Sequence, residues 1–443
     1  MEEAICMKKI LSLALILMLA LASFTGAVAQ EDRGEPNVTV DSVYYDDWSI
    51  EITWLPQDGF DTTDTAMADY LVGTAVAFVK DHPEVKVTCA AQSINIADAM
   101  SKLLTQAAAG NAPDVASVDS FYLPLYYDYL QPVTDVFEAN GLSLDSWFPF
   151  AQDVMTNEDG DIVAMWYDTD VRALYYQKSV MPTPPATWDE LFAMMEPLKE
   201  EGYMFLYPAG ANETTSCDVW PWFWSLGGQI LDEEGNPVFA EGSNYDALIK
   251  TFDFLKQTID TGITPTRVTS FMTDTDVNTD VMTGKVACFV GGSWVGTQLA
   301  TLMGDEKFEE EWGIAPIPIS AEGEPSTCCG GWTVGVFAQD DVKRQLAAEL
   351  GIRAFISRQG MLDYCTVKGN IPCRADLYDD ERFANDWQAV KFCELLQDGD
   401  VRPGFEIYTY ISQQFQTAIA NVITGAQTSE EAVQTMKENV ELY

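Results

Sequence analysis

The sequence predicts an α/β protein built as two lobes. Between residues 50 and 119, segments of strand character alternate with amphipathic helical segments, the order that builds a mostly parallel sheet flanked by helices. The chain has 443 residues, more than one compact core accommodates. Hydrophobic residues make up 47% of it and aromatics 12%, enough to fill two cores and too many for a disordered chain.

The chain opens with Lys8 and Lys9, a nearly unbroken apolar run from Ile10 to Ala22, and small residues at Ala27 and Ala29. This is the pattern of a cleavable export signal over residues 1–29, with "MKKILSLAL" from Met7 as its natural beginning. The apolar run is shorter than a bilayer span, and no other long apolar run follows. "IEITWLP" (50–56) alternates as a strand and stops at a proline. Asp69 to Lys80 has apolar residues at helical spacing, "HPEVKVTC" returns as a strand, and Ile96 to Ala109 is a second amphipathic helix closed by Gly110. "APDVASVDS" (112–120) is a buried strand ending in polar residues. In such sheets ligands sit beyond the carboxyl ends of the strands, here Trp54 to Gln57 and Asp119 to Phe121.

"DIVAMWYDTDVRALYYQK" (161–178) reads as two strands joined through Tyr167 to Val171. "PPATWDELFAMMEPLKEEG" is a helix with a capping box of Thr187 and Glu190, ended by Gly202. "TGKVACFVGGSW" runs from a helix end into a short strand, with Trp294 just past two glycines. "WGIAPIPIS" is extended, and "GGWTVGVFA" is a strand carrying Trp332. Helices follow over 345–359 and 413–423, and a final one starts at a second capping box, Thr428 with Glu431. In "WPWFWSLGG" (220–228), a helix would put Trp220 and Trp224 on one face and turn Trp222 about 160° away; Pro221 could instead hold the run extended.

The charge balance is lopsided, with 24 Lys+Arg against 69 Asp+Glu and a net charge of −45. Such a surface repels nucleic acid and anionic lipid. Eight cysteines remain after the signal, which suits an exported protein; Cys365 and Cys373 are close enough in sequence for a local bridge, and buried free thiols are the alternative. Their spacings make no paired zinc motif. His82, the one histidine, lies in a loop between a helix and a strand, which leaves Ser-His-Asp triads and His-rich metal sites without material. The glycines of "GGSWVG" make no phosphate-binding loop. "TDTDVNTD" (273–280) lacks the Gly and terminal Glu of a calcium loop and reads as a solvated helix start. No cofactor and no metal are expected.

The motifs "FVKDHPEVKV", "LLTQAAAGNAPDV", "LYYQK", "PPATWDELF", "GKVACFVGGSW", "WGIAPIPIS", "GGWTVGV" and "ITGAQTSEEAVQTM" stand in one order. In that order the chain, from about residue 50 to its end, resembles the extracellular solute-binding proteins of bacterial ABC sugar importers, the group that includes maltose-binding protein. The resemblance implies a type II periplasmic-binding-protein fold: two α/β lobes joined by three chain crossings, with ligand held in the cleft between them. It places the crossings near 168–170, 314–318 and 357–361, so that one lobe comprises 30–168 and 317–358 and the other 169–316 and 359–443. It implies a carbohydrate ligand, permease partners, no enzymatic activity and a periplasmic or secreted location. No lipobox cysteine follows the signal, and Trp166 stands where the family often has proline.

A sugar offers an apolar C–H face and a rim of hydroxyls, so its binder needs aromatic plates with planar donors and acceptors. Trp294 matches the family's stacking tryptophan, and Trp332 follows the same logic. Trp222 or Trp220 is expected in the cleft, with Trp224 in the core. Asp119, Ser120, Trp54 and Gln57 end the cleft-facing strands. Trp166 and Asp168 sit at the hinge, where Asp168 accepts sugar hydroxyls or pairs with Arg172. Tyr408 and Tyr410 precede the helix that carries a cleft aromatic in relatives. Two other readings stay open: an organic cation such as a polyamine held against the aromatics, and a glycosidase, which needs only two carboxylates.

Overall fold

The computed structural model describes residues 33–92, 96–157 and 159–443; the export signal lies outside the described residues. The strands are β1 Asn37–Val38, β2 Ser42–Tyr44, β3 Ile50–Leu55, β4 Val85–Cys89, β5 Val115–Asp119, β6 Ala164–Gln177, β7 Met204–Leu206, β8 Val286–Gly292, β9 Trp312–Ala315, β10 Thr327–Val336, β11 Ile371–Pro372 and β12 Gly399–Val401. The longer helices are α1 Thr65–Asp81, α2 Ile96–Ala108, α3 Trp188–Glu200, α4 Glu213–Ser225, α5 Gly242–Asp260, α6 Asp274–Val281, α7 Ser293–Met303, α8 Asp341–Gly351, α9 Arg358–Lys368, α10 Trp387–Leu395, α11 Glu406–Thr424 and α12 Ser429–Glu441.

The first lobe forms as its pattern dictates. In β3, Ile52 and Trp54 alternate inward while their neighbours stay half-exposed, and β4 and β5 flank β3 in parallel register. The Asp64 carboxylate accepts from the amides of Ala66 and Met67 and starts α1, a cap worth about 1 kcal/mol. The buried residues of α1, Met67, Leu71, Ala75, Phe78 and Val79, lie on one stripe facing the sheet.

Beyond β5 the sheet becomes mixed instead of mostly parallel. β10 lies antiparallel to β5, and β6 antiparallel to β10. The reason is topological: a chain that leaves one lobe along β6 must come back along β10. β6 is also a single strand of 14 residues and not two. Its first half pairs with β10 through Val171, and its second half, from Arg172, pairs with β8 and β9. The polar run 167–170 imitates a turn in sequence, yet the Asp168 carboxylate finds its donors on neighbouring segments, which keeps the backbone extended.

The second lobe has β8 between β6 and β7. Each lobe has its own core: Ile52, Trp54, Phe78, Trp166 and Phe355 belong to the first, and Tyr175, Trp220, Trp222, Phe254 and Phe415 to the second. The segment expected to cross near 314–318 is bonded into the second lobe, where the Pro318 carbonyl accepts from Trp222 Nε1 at 3.0 Å and the Ile319 carbonyl accepts from the Trp188 amide at 2.8 Å. β10, which follows it, pairs with β5 and with the first half of β6. Residues 357–361 begin α9 inside the first core, and the single helix expected over 345–359 is divided by a wide turn at Ile352–Ile356, after which the Ser357 hydroxyl caps α9. The capping box of α12 is present as read, with reciprocal bonds between Thr428 and Glu431. At α3, Thr187 caps the Glu190 amide, while the Glu190 carboxylate reaches one residue further back, to the Ala186 amide. α6 starts at the acidic run with a box of Thr273 and Asp276, but Asp274 and Asn278 are buried, not solvated. Among the described residues no helix is long and apolar enough to cross a membrane.

Candidate ligand-binding cleft

β6, β10 and the segment at β11 converge on one carboxylate. Asp168 stands opposite Trp332 of β10 and Pro372 of β11. Its Oδ1 accepts the Trp332 amide at 2.9 Å, and its Oδ2 accepts the Asn370 side-chain amide. Burial pushes its pKa up to about 7, opposed by those two hydrogen bonds. At 1% exposure Asp168 ties β6 to β10 and to Asn370 and is not offered to a ligand, and Arg172 pairs with Asp170 at 2.7 Å and not with Asp168. Gly331 beside it has φ +142°, and a β-carbon there would lie 2.1 Å from the Asp168 carbonyl oxygen. Only glycine lets β10 come this close.

On the first-lobe side, a cavity of 460 Å³ is lined by Gln57, Asp58, Thr62, Gln92, Trp332 and Lys368, among others. Gln57 donates to the Tyr167 hydroxyl at 3.0 Å, and Gln92 to the Ser117 carbonyl at 2.6 Å, while the Gln92 carbonyl oxygen is left without a partner. Lys368 and Asp58 pair at 2.6 Å. Trp332, half-buried, is the aromatic member. The fold thus brings Gln57 and Trp332 to one cavity: Gln57 follows the end of β3, and Trp332 lies within β10 opposite Asp119, the last residue of β5.

On the second-lobe side stands Trp294, the residue expected as a stacking plate. It occupies the first turn of α7, not a strand end, and its ring folds back over Gly292, where a β-carbon would lie 2.4 Å from it. The Arg172 guanidinium lies 4.6 Å from the ring centroid. Behind Arg172, its Nε is 2.7 Å from Asp218 Oδ1, an ion pair without hydrogen-bond alignment. Asp218 is fully buried and Asp274 lies against it. Burial raises the pKa of both carboxyls, and the neighbouring carboxylate pushes Asp218 up further.

A second group of charges joins the lobes. The Arg402 guanidinium lies 4.6 Å from the Phe121 ring and pairs with Glu213 at 3.1 Å. Asp119 ends β5, accepts the Phe121 amide at 2.9 Å, and is pushed up to about 6 by burial, with Arg402 opposing. Ser120 is buried and its amide donates to the Gly331 carbonyl at 2.9 Å. Ser120, Phe121 and Arg402 share a further cavity of 120 Å³.

Several expected ligand contacts belong to the core instead. Trp54 is 1% exposed, packed between Phe60 and Phe355, because its β3 position faces inward. Trp166 is buried with its indole N–H donated to the Asp168 carbonyl. α4 is helical through Pro221 and buries most of its surface. Trp220 stacks on Phe415 at 3.6 Å and donates to the Tyr408 hydroxyl. Trp222, on the opposite face, packs on Tyr207 and Phe254. Trp224, assigned to the core from sequence, is the partly exposed one. Helical geometry separated the rings correctly, but elements cover α4 on both sides, so neither Trp220 nor Trp222 reaches the cleft. Tyr408 is buried and donates to Glu213 at 2.9 Å; Tyr410 stacks on the C-terminal Tyr443 at 4.5 Å. Sequence reasoning missed Asp170, Glu213, Lys368 and Arg402, and named Arg172 only as a partner for Asp168. In a chain with 69 acids a single carboxylate carries no signal. The one signal that points to the buried arginines is the scarcity of cations, 24 Lys+Arg against 69 Asp+Glu.

The eight described cysteines are free thiols, and Cys365 points at the Tyr167 carbonyl and not at Cys373. His82 contacts Glu349 at 3.2 Å on the first lobe. Among the described residues no group of three or more His, Cys, Asp or Glu is arranged to hold a metal ion.

Residues 74–391 match the sequence family described as bacterial extracellular solute-binding protein. The chain belongs to this family. A protein of Brucella abortus named only as a binding protein is 24% identical to this solute-binding protein over 277 residues, which is 60% of this chain and 64% of that relative. Among solved structures, the sugar-binding protein MalE of Xanthomonas citri is similar with a TM-score of 0.74 and 21% identity, over 88% of this chain and 96% of that one. Maltose-bound MalE3 of T. maritima is similar at 0.71 and 23%, over 89% of this chain and 100% of that one. The cyclic alpha-maltosyl-1,6-maltose binding protein of Arthrobacter globiformis is similar at 0.70 and 19%, over 88% and 98%. The solute-binding protein therefore has the two-lobe type II fold of periplasmic binding proteins.

Proposed function

We propose that this solute-binding protein holds a mono- or oligosaccharide between its lobes and presents it to the permease of an ABC importer, without chemical change. The observation that carries this reading is the 460 Å³ cavity in which Trp332 stands beside the amides of Gln57 and Gln92 and the Asp58–Lys368 pair. An aromatic face with planar polar groups around it is what a sugar ring requires. Trp294, backed by Arg172, supplies a second plate. The solved relatives that hold maltose and maltotetraose support the class of ligand. An organic cation is less well served, because three of the carboxylates here already stand beside a cation: Asp58 with Lys368, Asp170 with Arg172, Glu213 with Arg402.

The lobes are proposed to divide where β6, β10 and the segment at β11 pass between the two sheets. The export signal and an extracytoplasmic location belong to the same reading. Thermal shift across mono- and oligosaccharides, with spermidine as the cationic comparison, tests it, since a ligand raises Tm by mass action. A shift with a sugar and none with spermidine is expected. A shift with spermidine alone would overturn it.

A further inference from the structure

A cavity that the sugar reading does not use lies where the two cores meet. It measures 220 Å³. Cys365, Phe383 and Ala389 bring the first core to its wall, and Ile371 and Phe392 bring the second. Segment 366–370 separates it from the 460 Å³ cavity: Lys368 lines that one, whereas Thr366, Gly369 and Asn370 line this one. Gly369 ends α9 with φ +75°, and a β-carbon there would lie 3.7 Å from the γ-methyl of Thr297 on α7. Thr297 and Thr366, both exposed, stand at the mouth. The buried apolar side chains form the floor.

The charged groups of this cavity are already matched. Arg382 donates to Asp363 at 2.8 Å and to Asp380 at 2.9 Å, and Asp386 accepts the Gln388 backbone amide at 2.9 Å as it caps α10. What remains for a ligand is neutral: the hydroxyls of Thr297 and Thr366 and the side-chain amides of Asn370 and Gln388. The Gln388 carbonyl oxygen is buried above Gly296 of α7 and has no hydrogen-bond partner among the described residues. A buried acceptor left in this way costs about 1–3 kcal/mol. The last torsion of a glutamine is soft, so this oxygen can turn to meet a hydroxyl brought in by a ligand.

We propose that this cavity is a second binding site, for a small uncharged polyol. The C–H side of such a molecule suits the floor of Ile371 and Phe392, and its hydroxyls suit the ring of amides and threonines. A dry cavity of about 150 Å³ holds benzene, so by proportion one of 220 Å³ holds about nine non-hydrogen atoms. Erythritol, a four-carbon polyol, is of that size. The site is distinct from the sugar cavity and does not depend on what that cavity holds. Its occupant would press on Asn370, the residue that donates to the Asp168 carboxylate.

The test is an erythritol titration of the full mature protein, read by NMR at the side-chain amides of Asn370 and Gln388. Both resonances should move and should saturate in the millimolar range, as suits so small a ligand. Thr297→Phe, which places a ring in the mouth, should abolish the saturable shift. Gln388→Leu, read at Asn370, should weaken binding roughly fivefold, the loss of one hydrogen bond. Trp332→Ala should leave erythritol binding as it is, because Trp332 lines the other cavity. Butan-1-ol, the same carbon chain with one hydroxyl, should bind several-fold more weakly. Shifts that never saturate would overturn the proposal, as would saturable binding that survives Thr297→Phe. Loss of binding in Trp332→Ala would assign the probe to the sugar cavity, and butan-1-ol binding as tightly as erythritol would remove the polyol; either result overturns it. The wild-type titration with the two probes decides the question even if a variant fails to fold.

Discussion

Asp168 is a carboxylate that the fold needs and that burial makes expensive. Its pKa in the folded protein is about 7, above the ordinary Asp value near 4. The folded state therefore binds a proton that the unfolded state releases across that window. This contribution is fully present below about pH 4, is lost as pH rises through 7, and is flat above. Asp119 acts in the same direction up to its value of about 6. The isosteric D168N keeps an acceptor for the Trp332 amide and carries no charge. It should gain stability relative to wild type as pH rises from 4 to 7, by up to about 4 kcal/mol, and no further above 7. Thermal melts of the pair at pH 4.5, 6 and 8 check this; a gap that ignores pH would remove the account of the hinge carboxylate. At Trp332 the expectation concerns the ligand. Trp332→Ala should weaken sugar binding by about 1–3 kcal/mol while leaving the ligand-free Tm almost unchanged, because the ring is half-exposed and lines the cavity. Calorimetric titration of both proteins with one sugar reads the difference.

At the scale of elements, α4 reverses the division of labour that its sequence suggests. Trp222 fills a space bounded by Tyr207, Phe254 and the Pro318 carbonyl. Trp222→Ala should cost about 3–5 kcal/mol of stability, as large-to-small core changes do. Trp224→Ala should cost much less, since that ring keeps one side in solvent. Urea unfolding of the two variants ranks them, and the opposite rank would refute the packing of α4. The element that sequence placed best is one with local chemistry at its end, α12 behind Thr428 and Glu431; α1 was begun four residues late, at Asp69 and not Thr65, because its Asp64 cap went unread. β6 was misread because its continuity depends on partners distant in sequence, Trp332 and Asn370, which satisfy Asp168. The site suffered in the same way. Gln57 was legible because it follows the carboxyl end of β3, and Trp332 because it is an aromatic beside two glycines; in the fold it stands opposite Asp119, where β5 ends. The charged pairs of Arg172, Lys368 and Arg402 were not, because each is defined by a partner on another element.

At the scale of the molecule, two cores are joined through shared strands, and Phe121 from the first lobe meets Tyr408 and Arg402 of the second. Closure on ligand should therefore be a rotation of whole lobes. Small-angle scattering should give a smaller radius of gyration at saturating sugar than without it; an unchanged radius at proven occupancy would place the ligand outside the cleft. Prolonged incubation with a bound oligosaccharide, followed by chromatography, should return the ligand intact, and repeated turnover would exclude a pure carrier.

The unbroken course of β6 through both sheets has a mechanical consequence. A joint made of loops bends at a few slack points, whereas a joint made of paired strands flexes like a leaf spring. Its deformation is spread as small changes of twist over many backbone torsions, and none of the rungs has to break. Such a joint stores modest elastic energy when bent and restores its resting angle unaided once the load is removed. If the lobes close on a ligand as proposed, the recoil would come from the same strands that hold the two halves in register.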